Sequence, residues 1–96
     1  MQNHTKVYMK HFNYGETDFV PCESCFNKRA VDVHHIEARG MGGVDDNRLD
    51  IIENLVGLCR ECHNKAEFDD EFNKRVKRKH LQRLELHKLS YRNKTL

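Results

Sequence analysis

The chain has 96 residues, of which Lys and Arg number 17 and Asp and Glu 15, for a net charge of +2 with the histidines neutral. That length suits one domain rather than two, and 23 Leu, Ile, Val and Phe residues clear the roughly 20% floor for folding while leaving only a small core. No apolar stretch approaches the ~18 residues of a membrane span and the polar N-terminus lacks a signal-peptide pattern, so the expected setting is a reducing cytoplasm, where disulfides are rare.

In chain order, Tyr8 and Phe12 stand four apart within residues 5–14, a helical spacing, with Thr5 placed to cap the start and Gly15 placed to end it. Pro21 precedes Cys22-Glu-Ser-Cys25, which reads as a turn carrying two thiols. Residues 30–36 are β-branched and alternating, a strand signal, and finish on His34-His35. Residues 37–53 hold Gly40, Gly42, Gly43 and five acids and read as a long loop, whose glycines either admit close backbone approach to a ligand or merely shape a turn. Strand character returns at Asn54–Cys59, followed by a turn running into a helix over Cys59–Phe68. Asp69 or Asp70 is placed to cap a further helix from Glu71. That helix carries Phe72 and Val76 on one face, but Leu81, Leu84, Leu86 and Leu89 scatter around it, so no clean apolar stripe defines its packing.

Charge divides the chain. Residues 71–96 contain nine Lys or Arg against two Glu, a net +7, while residues 1–70 contain eight basic and thirteen acidic residues, a net −5. A basic tail on an acidic body suits contact with a polyanion, with a solvated charged helix as the plain alternative.

Two CxxC pairs, Cys22/Cys25 and Cys59/Cys62, each aim two sulfurs at one point from a tight turn. Together they are expected to hold one structural, tetrahedral Zn2+ and so to staple the small core. A redox pair is a weak alternative because no βαβ pattern surrounds either motif, and disulfides are weak because no secretion signal is seen. Once strand and helix are fixed by that site, His34, at the strand's end, and His63, one residue past the last thiol, are placed to converge on a second ion with open positions for water or phosphate.

The segments Cys22-x-x-Cys25, Val33-His34-His35-Ile36, the glycine-bearing loop and Asn54-Leu-Val-Gly-Leu-Cys-Arg-Glu-Cys-His63-Asn-Lys65, in that order, resemble the zinc-bound HNH endonucleases common in phage and mobile elements. The resemblance spans roughly residues 20–66. It implies a small α+β fold, a ββα-metal core built on a treble-clef zinc finger with flanking helices. One HNH domain would then fill residues 1–96: an N-terminal arm or helix to residue 21, the zinc-bound core over 22–68, and a basic C-terminal helix over 69–96. It further implies His34 and His63 as ligands of a catalytic divalent ion such as Mg2+, Mn2+, Ni2+ or Zn2+, His35 as general base, and Asn54 as the residue that orients that base or joins the metal shell. The activity implied is hydrolysis of DNA phosphodiester bonds, by nicking or double-strand cleavage, leaving 5′-phosphate and 3′-hydroxyl ends.

That chemistry needs a base that titrates near neutral pH, as histidine does, and a cation for the developing charge. Arg39, Lys65, Lys74, Lys77 and Arg78 are the candidate nucleic-acid contacts. Phage packaging or recombination proteins are the further partners the resemblance suggests, with a host cytoplasm as the location. The competing reading is a non-catalytic zinc module that binds nucleic acid through residues 71–96.

Overall fold

The computed structural model describes residues 2–38 and 49–94. Chain order is α1 (Asn3–His11), β1 (Asp32–His35), a 3-10 turn (Ile52–Asn54), β2 (Leu55–Leu58), α2 (Arg60–Phe68) and α3 (Asp70–Lys94). The two strands form an antiparallel pair with Asp32 opposite Leu58, Val33 opposite Gly57, His34 opposite Val56 and His35 opposite Leu55. This is a small α+β fold with its four cysteines gathered at one corner. Arg39, Gly40, Gly42 and Gly43 lie outside the described residues.

Helix α1 starts earlier and ends differently than its sequence suggests. Gln2 occupies the N-cap position without a capping side chain, so Thr5 sits inside the helix instead of capping it. The end is formed by Asn13, at φ 57°. Its N–H bonds the Lys10 carbonyl (3.1 Å) and the Tyr14 N–H bonds the Met9 carbonyl (2.8 Å), a Schellman closure. Asparagine tolerates the left-handed region well enough to replace the glycine expected there. Gly15 belongs to the next turn, its N–H donating to Asp18 Oδ2 (2.6 Å).

Pro21 and Arg29 bridge a short hairpin whose tip carries Cys22 and Cys25. Strand β2 lies between this hairpin and β1: Glu23 N–H bonds the Gly57 carbonyl (2.9 Å) on one side, and Val31 N–H bonds the Leu58 carbonyl (2.9 Å) on the other. All four residues of β2 are therefore buried. Gly57 has a packing role, since a Cβ there would stand 3.0 Å from the hydroxyl of the fully buried Tyr8.

One residue, Asp69, separates α2 from α3, and its Oδ1 accepts the Phe72 N–H (3.1 Å), capping α3 as expected. The buried stripe of α3 is Val76, His80 and Leu84, with Phe72 half-buried at its start. A histidine in the middle hides this stripe from an apolar periodicity search. Leu89, by contrast, is 52% exposed and takes no part in it.

Around His80 lies a buried polar knot. Glu23 accepts a hydrogen bond from Tyr8 and from His80 Nδ1 (2.9 Å) and forms an ion pair with Arg83 (3.1 Å). His80 Nε2 donates to the Ile52 carbonyl (2.6 Å), and Arg83 also donates to Tyr8 and Tyr14 and lies 3.8 Å over the Phe12 ring. Burial pushes the Glu23 carboxyl up, yet His80, Tyr8 and Arg83 together hold it below the usual carboxylate range. α1, the cysteine hairpin and α3 thus meet on one carboxylate. Among the described residues no helix is long and apolar enough to cross a membrane.

Candidate metal centre and active site

The four cysteine ligand atoms lie within 4.8 Å of one another. One pair comes from the hairpin tip and the other from the N-terminus of α2, where Cys59 is the N-cap residue and its carbonyl accepts the His63 N–H (2.8 Å). Cys25 Sγ and Cys59 Sγ stand 4.0 Å apart, against about 3.8 Å for two sulfurs on one tetrahedral Zn2+ with 2.3 Å bonds. Burial pushes the Cys22 thiol up, but the N–H groups of Cys25, Cys59 and Ser24 outweigh it and bring it down to about 6. Burial and then the neighbouring Cys59 and Cys22 sulfurs push Cys62 up to about 12. The cluster accepts some negative charge but not four thiolates, and a dication is what would let the rest ionise. The donor set fits a structural metal.

His34 and His63 do converge. His34 projects from β1 toward α2, and its ring centroid lies 5.0 Å from that of His63. Glu67, one turn beyond His63, places Oε1 3.0 Å from His63 Nε2 and 3.8 Å from His34 Nδ1. The three residues form a second group able to hold a metal.

Their neighbours decide which nitrogens face that centre. Asn73 Nδ2 donates to the Ile36 carbonyl (2.9 Å), so its Oδ1 is turned to His34 Nε2 (2.9 Å) and accepts a hydrogen bond from it. The lone pair of neutral His34 is then on Nδ1, toward Glu67. In the same way Asp32 Oδ2 accepts from His63 Nδ1 (3.0 Å), so Nε2, 3.0 Å from Glu67 Oε1, is the nitrogen that a metal shared with Glu67 would take. Arg60 lies 3.1 Å from the same Asp32 oxygen and balances its charge. Such outer partners fix the tautomer and aim of ligating imidazoles. Burial holds His34 below the usual histidine range, against a smaller upward push from Asn73, and the His63 ring adds to the lowering. His34 is accordingly neutral at pH 7, the form that binds metals.

His35 follows His34 on an extended strand, so its side chain leaves the opposite face. Its Nε2 lies 2.7 Å from Asp50 Oδ1, and its ring lies 4.6 Å from that of His4. The second Asp50 oxygen accepts from Asn3 Nδ2 (3.0 Å). A carboxylate only accepts, so Nε2 carries the proton and Nδ1 the lone pair.

Asn54 bonds neither an imidazole nor the His34–His63–Glu67 group. Its Oδ1 accepts from Glu37 N–H (2.7 Å), and Nδ2 donates to the Glu37 (3.1 Å) and Leu49 (3.0 Å) carbonyls. The Asn54 carbonyl also accepts the Ile36 N–H (2.9 Å). It therefore ties together the two ends of the segment between the strands, next to His35.

Lys74 and Lys77 border a cleft of about 360 Å3 with Asn54, Asn73, Ile36 and Glu37. Arg78 is exposed on the same helix. Lys65 is exposed on α2, its ammonium 5.8 Å from the Phe72 ring.

Sequence reasoning missed Asp32, Glu67 and Asn73. Glu67 carries a local signal, four residues after His63 on one helix face, and Asp32 stands two before His34 on one strand face. Asn73 carries none, because only the packing of α3 against α2 and the 3-10 turn brings it to His34.

Residues 22–69, half of the chain, match the model of a family described as HNH endonuclease. No curated protein and no solved structure matches the chain.

Proposed function

The chain belongs to the HNH endonuclease family, and we propose that it is a metal-dependent endonuclease that hydrolyses DNA phosphodiester bonds. The observation that carries this reading is the convergence of His34 Nδ1, His63 Nε2 and Glu67 on one point, each imidazole aimed by a partner of its own. A zinc clip alone has no use for that arrangement. Zn2+ in the four-cysteine corner would hold the hairpin, β2 and α2 in register, and so fix His34 against His63.

A divalent ion held by His34, His63 and Glu67 would supply Lewis-acid stabilisation of the charge that builds on the phosphate and on the departing 3′ oxygen. His35 is the general base. Its Nδ1 takes the proton of the attacking water, while Asp50 on Nε2 fixes the tautomer and stabilises the imidazolium that results. Asn54 is a positioning residue that holds the backbone on both sides of the strand end carrying His35. Lys74 and Lys77, at the cleft beside Asn54 and Asn73, together with Arg78, Lys65 and Arg39, bind the DNA backbone.

The test is cleavage of supercoiled plasmid by the zinc-loaded protein with Mg2+, Mn2+ or Ni2+. Wild-type protein cleaves, and His35→Ala, folded as judged by circular dichroism, is slower by ~10²–10⁴-fold. Near-normal cleavage by that variant removes His35 from the mechanism. No cleavage with any of the three ions returns the protein to a nucleic-acid-binding zinc module.

A further inference from the structure

We propose a third metal site, one for a transition metal, formed by His4, His35 and Asp50, whose occupation switches the nuclease off. The three side chains come from α1, the end of β1 and the segment entering the 3-10 turn, and their ligand atoms lie within 4.8 Å of one another. Asp50 is buried, and Asn3 holds one of its oxygens and so orients the other toward His35. His4 has no part in the hydrolysis proposed above, yet its ring stands 4.6 Å from His35.

Two imidazoles and one carboxylate are a donor set for Zn2+, Ni2+ or Cu2+ and a poor one for Mg2+, which demands oxygen ligands in near-octahedral order. Metal–nitrogen and metal–oxygen bonds of about 2.0–2.1 Å put neighbouring donors about 3.3 Å apart. The ion therefore enters where the proton between His35 Nε2 and Asp50 Oδ1 now sits, and those atoms part modestly from 2.7 Å.

The inhibitory consequence rests on His35 being the base. A neutral imidazole carries one proton. When a metal takes the Nε2 lone pair, that proton moves to Nδ1, the atom that must accept a proton from water, and no net proton is released. An ion at this site thus leaves the His34–His63–Glu67 centre intact and removes the base.

The probe is Ni2+, added to protein carrying Zn2+ in its cysteine site. Equilibrium dialysis should find two Ni2+ bound per wild-type chain, one in His4→Phe, which keeps a ring but no donor, one in His63→Ala, and none in the double variant. His4→Gln provides the same count if the phenylalanine variant misfolds. Two Ni2+ of unchanged affinity in both His4 variants overturn the site. In plasmid cleavage, wild-type activity should rise and then fall with Ni2+, His4→Phe should rise without the fall, and Mg2+ should give no fall in either. An equal fall in both proteins overturns the inhibitory role. If the protein cleaves with no metal, it is the hydrolysis reading that fails, and the Ni2+ count still decides the site.

Discussion

Cys22 and Glu23 are neighbours in the chain, and each is the centre of a buried cluster. Cys22 joins three other sulfurs, while Glu23 joins Tyr8, His80 and Arg83. The sulfur corner brings four like donors together, with the exposed Lys28 and Lys79 beside it, and a metal ion would complete it. The carboxylate corner is complete within the chain, since every oxygen of Glu23 meets a donor. A core this small thus has two staples that fail under different conditions, the first on loss of metal and the second on loss of a proton acceptor. The comparison also separates their duties: the cysteines fix α2 against the strands, and Glu23 fixes α1 and α3 around them.

The largest difference between the corners should appear on Cys59→Ser. Structural zinc in small fingers is worth ~10–16 kcal/mol, as much as the whole stability of many domains. The variant should lose zinc and helical circular dichroism together, and a folded, zinc-free protein would refute the structural role.

Glu23→Ala should cost less, about 3–5 kcal/mol, because it strands the buried donors of His80, Tyr8 and Arg83. Urea denaturation with bound zinc monitored in parallel measures it: stability falls while the zinc content of the folded protein stays at one per chain. A loss below ~1 kcal/mol would mean that the knot is not a staple. The same corner sets an acid limit. Glu23 is held below its ordinary range in the fold, so its contribution is complete above the unfolded value of about 4.3 and disappears as pH falls through the lower folded value. Glu23→Gln should flatten that acid limb of stability against pH, and an unchanged limb would assign it to other carboxylates.

Gly57→Ala probes the junction of the two corners. Its methyl group would meet the Tyr8 hydroxyl and ring at 3.0–3.2 Å, an overpacking cost of about 1–3 kcal/mol. Tyr8→Phe in the same background should recover part of this, which thermal unfolding of the three variants will measure.

The smallest effect on the fold is expected from neutralising Lys74, Lys77 and Arg78, all exposed on α3. Stability should change by no more than about 0.5 kcal/mol, while the slope of log binding constant against log salt should fall by roughly 0.9 for each lost phosphate contact. Parallel slopes for wild type and variant would mean that this face of α3 does not touch DNA.

The two corners also differ in how they could be read. Cys22-x-x-Cys25 and Cys59-x-x-Cys62 announce themselves because each half of the site is local, two sulfurs on one turn, and only one joining step is left to tertiary structure. Strand alternation likewise sends His34 and His35 to opposite faces before any packing is known, and the capping of α3 by Asp69 is a three-residue matter. Glu23 has no such signature. Its partners Tyr8 and His80 lie 15 and 57 residues away, and in the sequence His80 looks like a break in an apolar stripe that it in fact completes. Asn73 reaches His34 from 39 residues away, and His4 meets His35 only because α1 folds back across the strand end. Residue type and short-range spacing determined which atoms can bind metal or take a proton. Tertiary packing alone decided which lone pairs face the site, because a tautomer is chosen by the partner on the far side of the ring, and that partner comes from a distant segment.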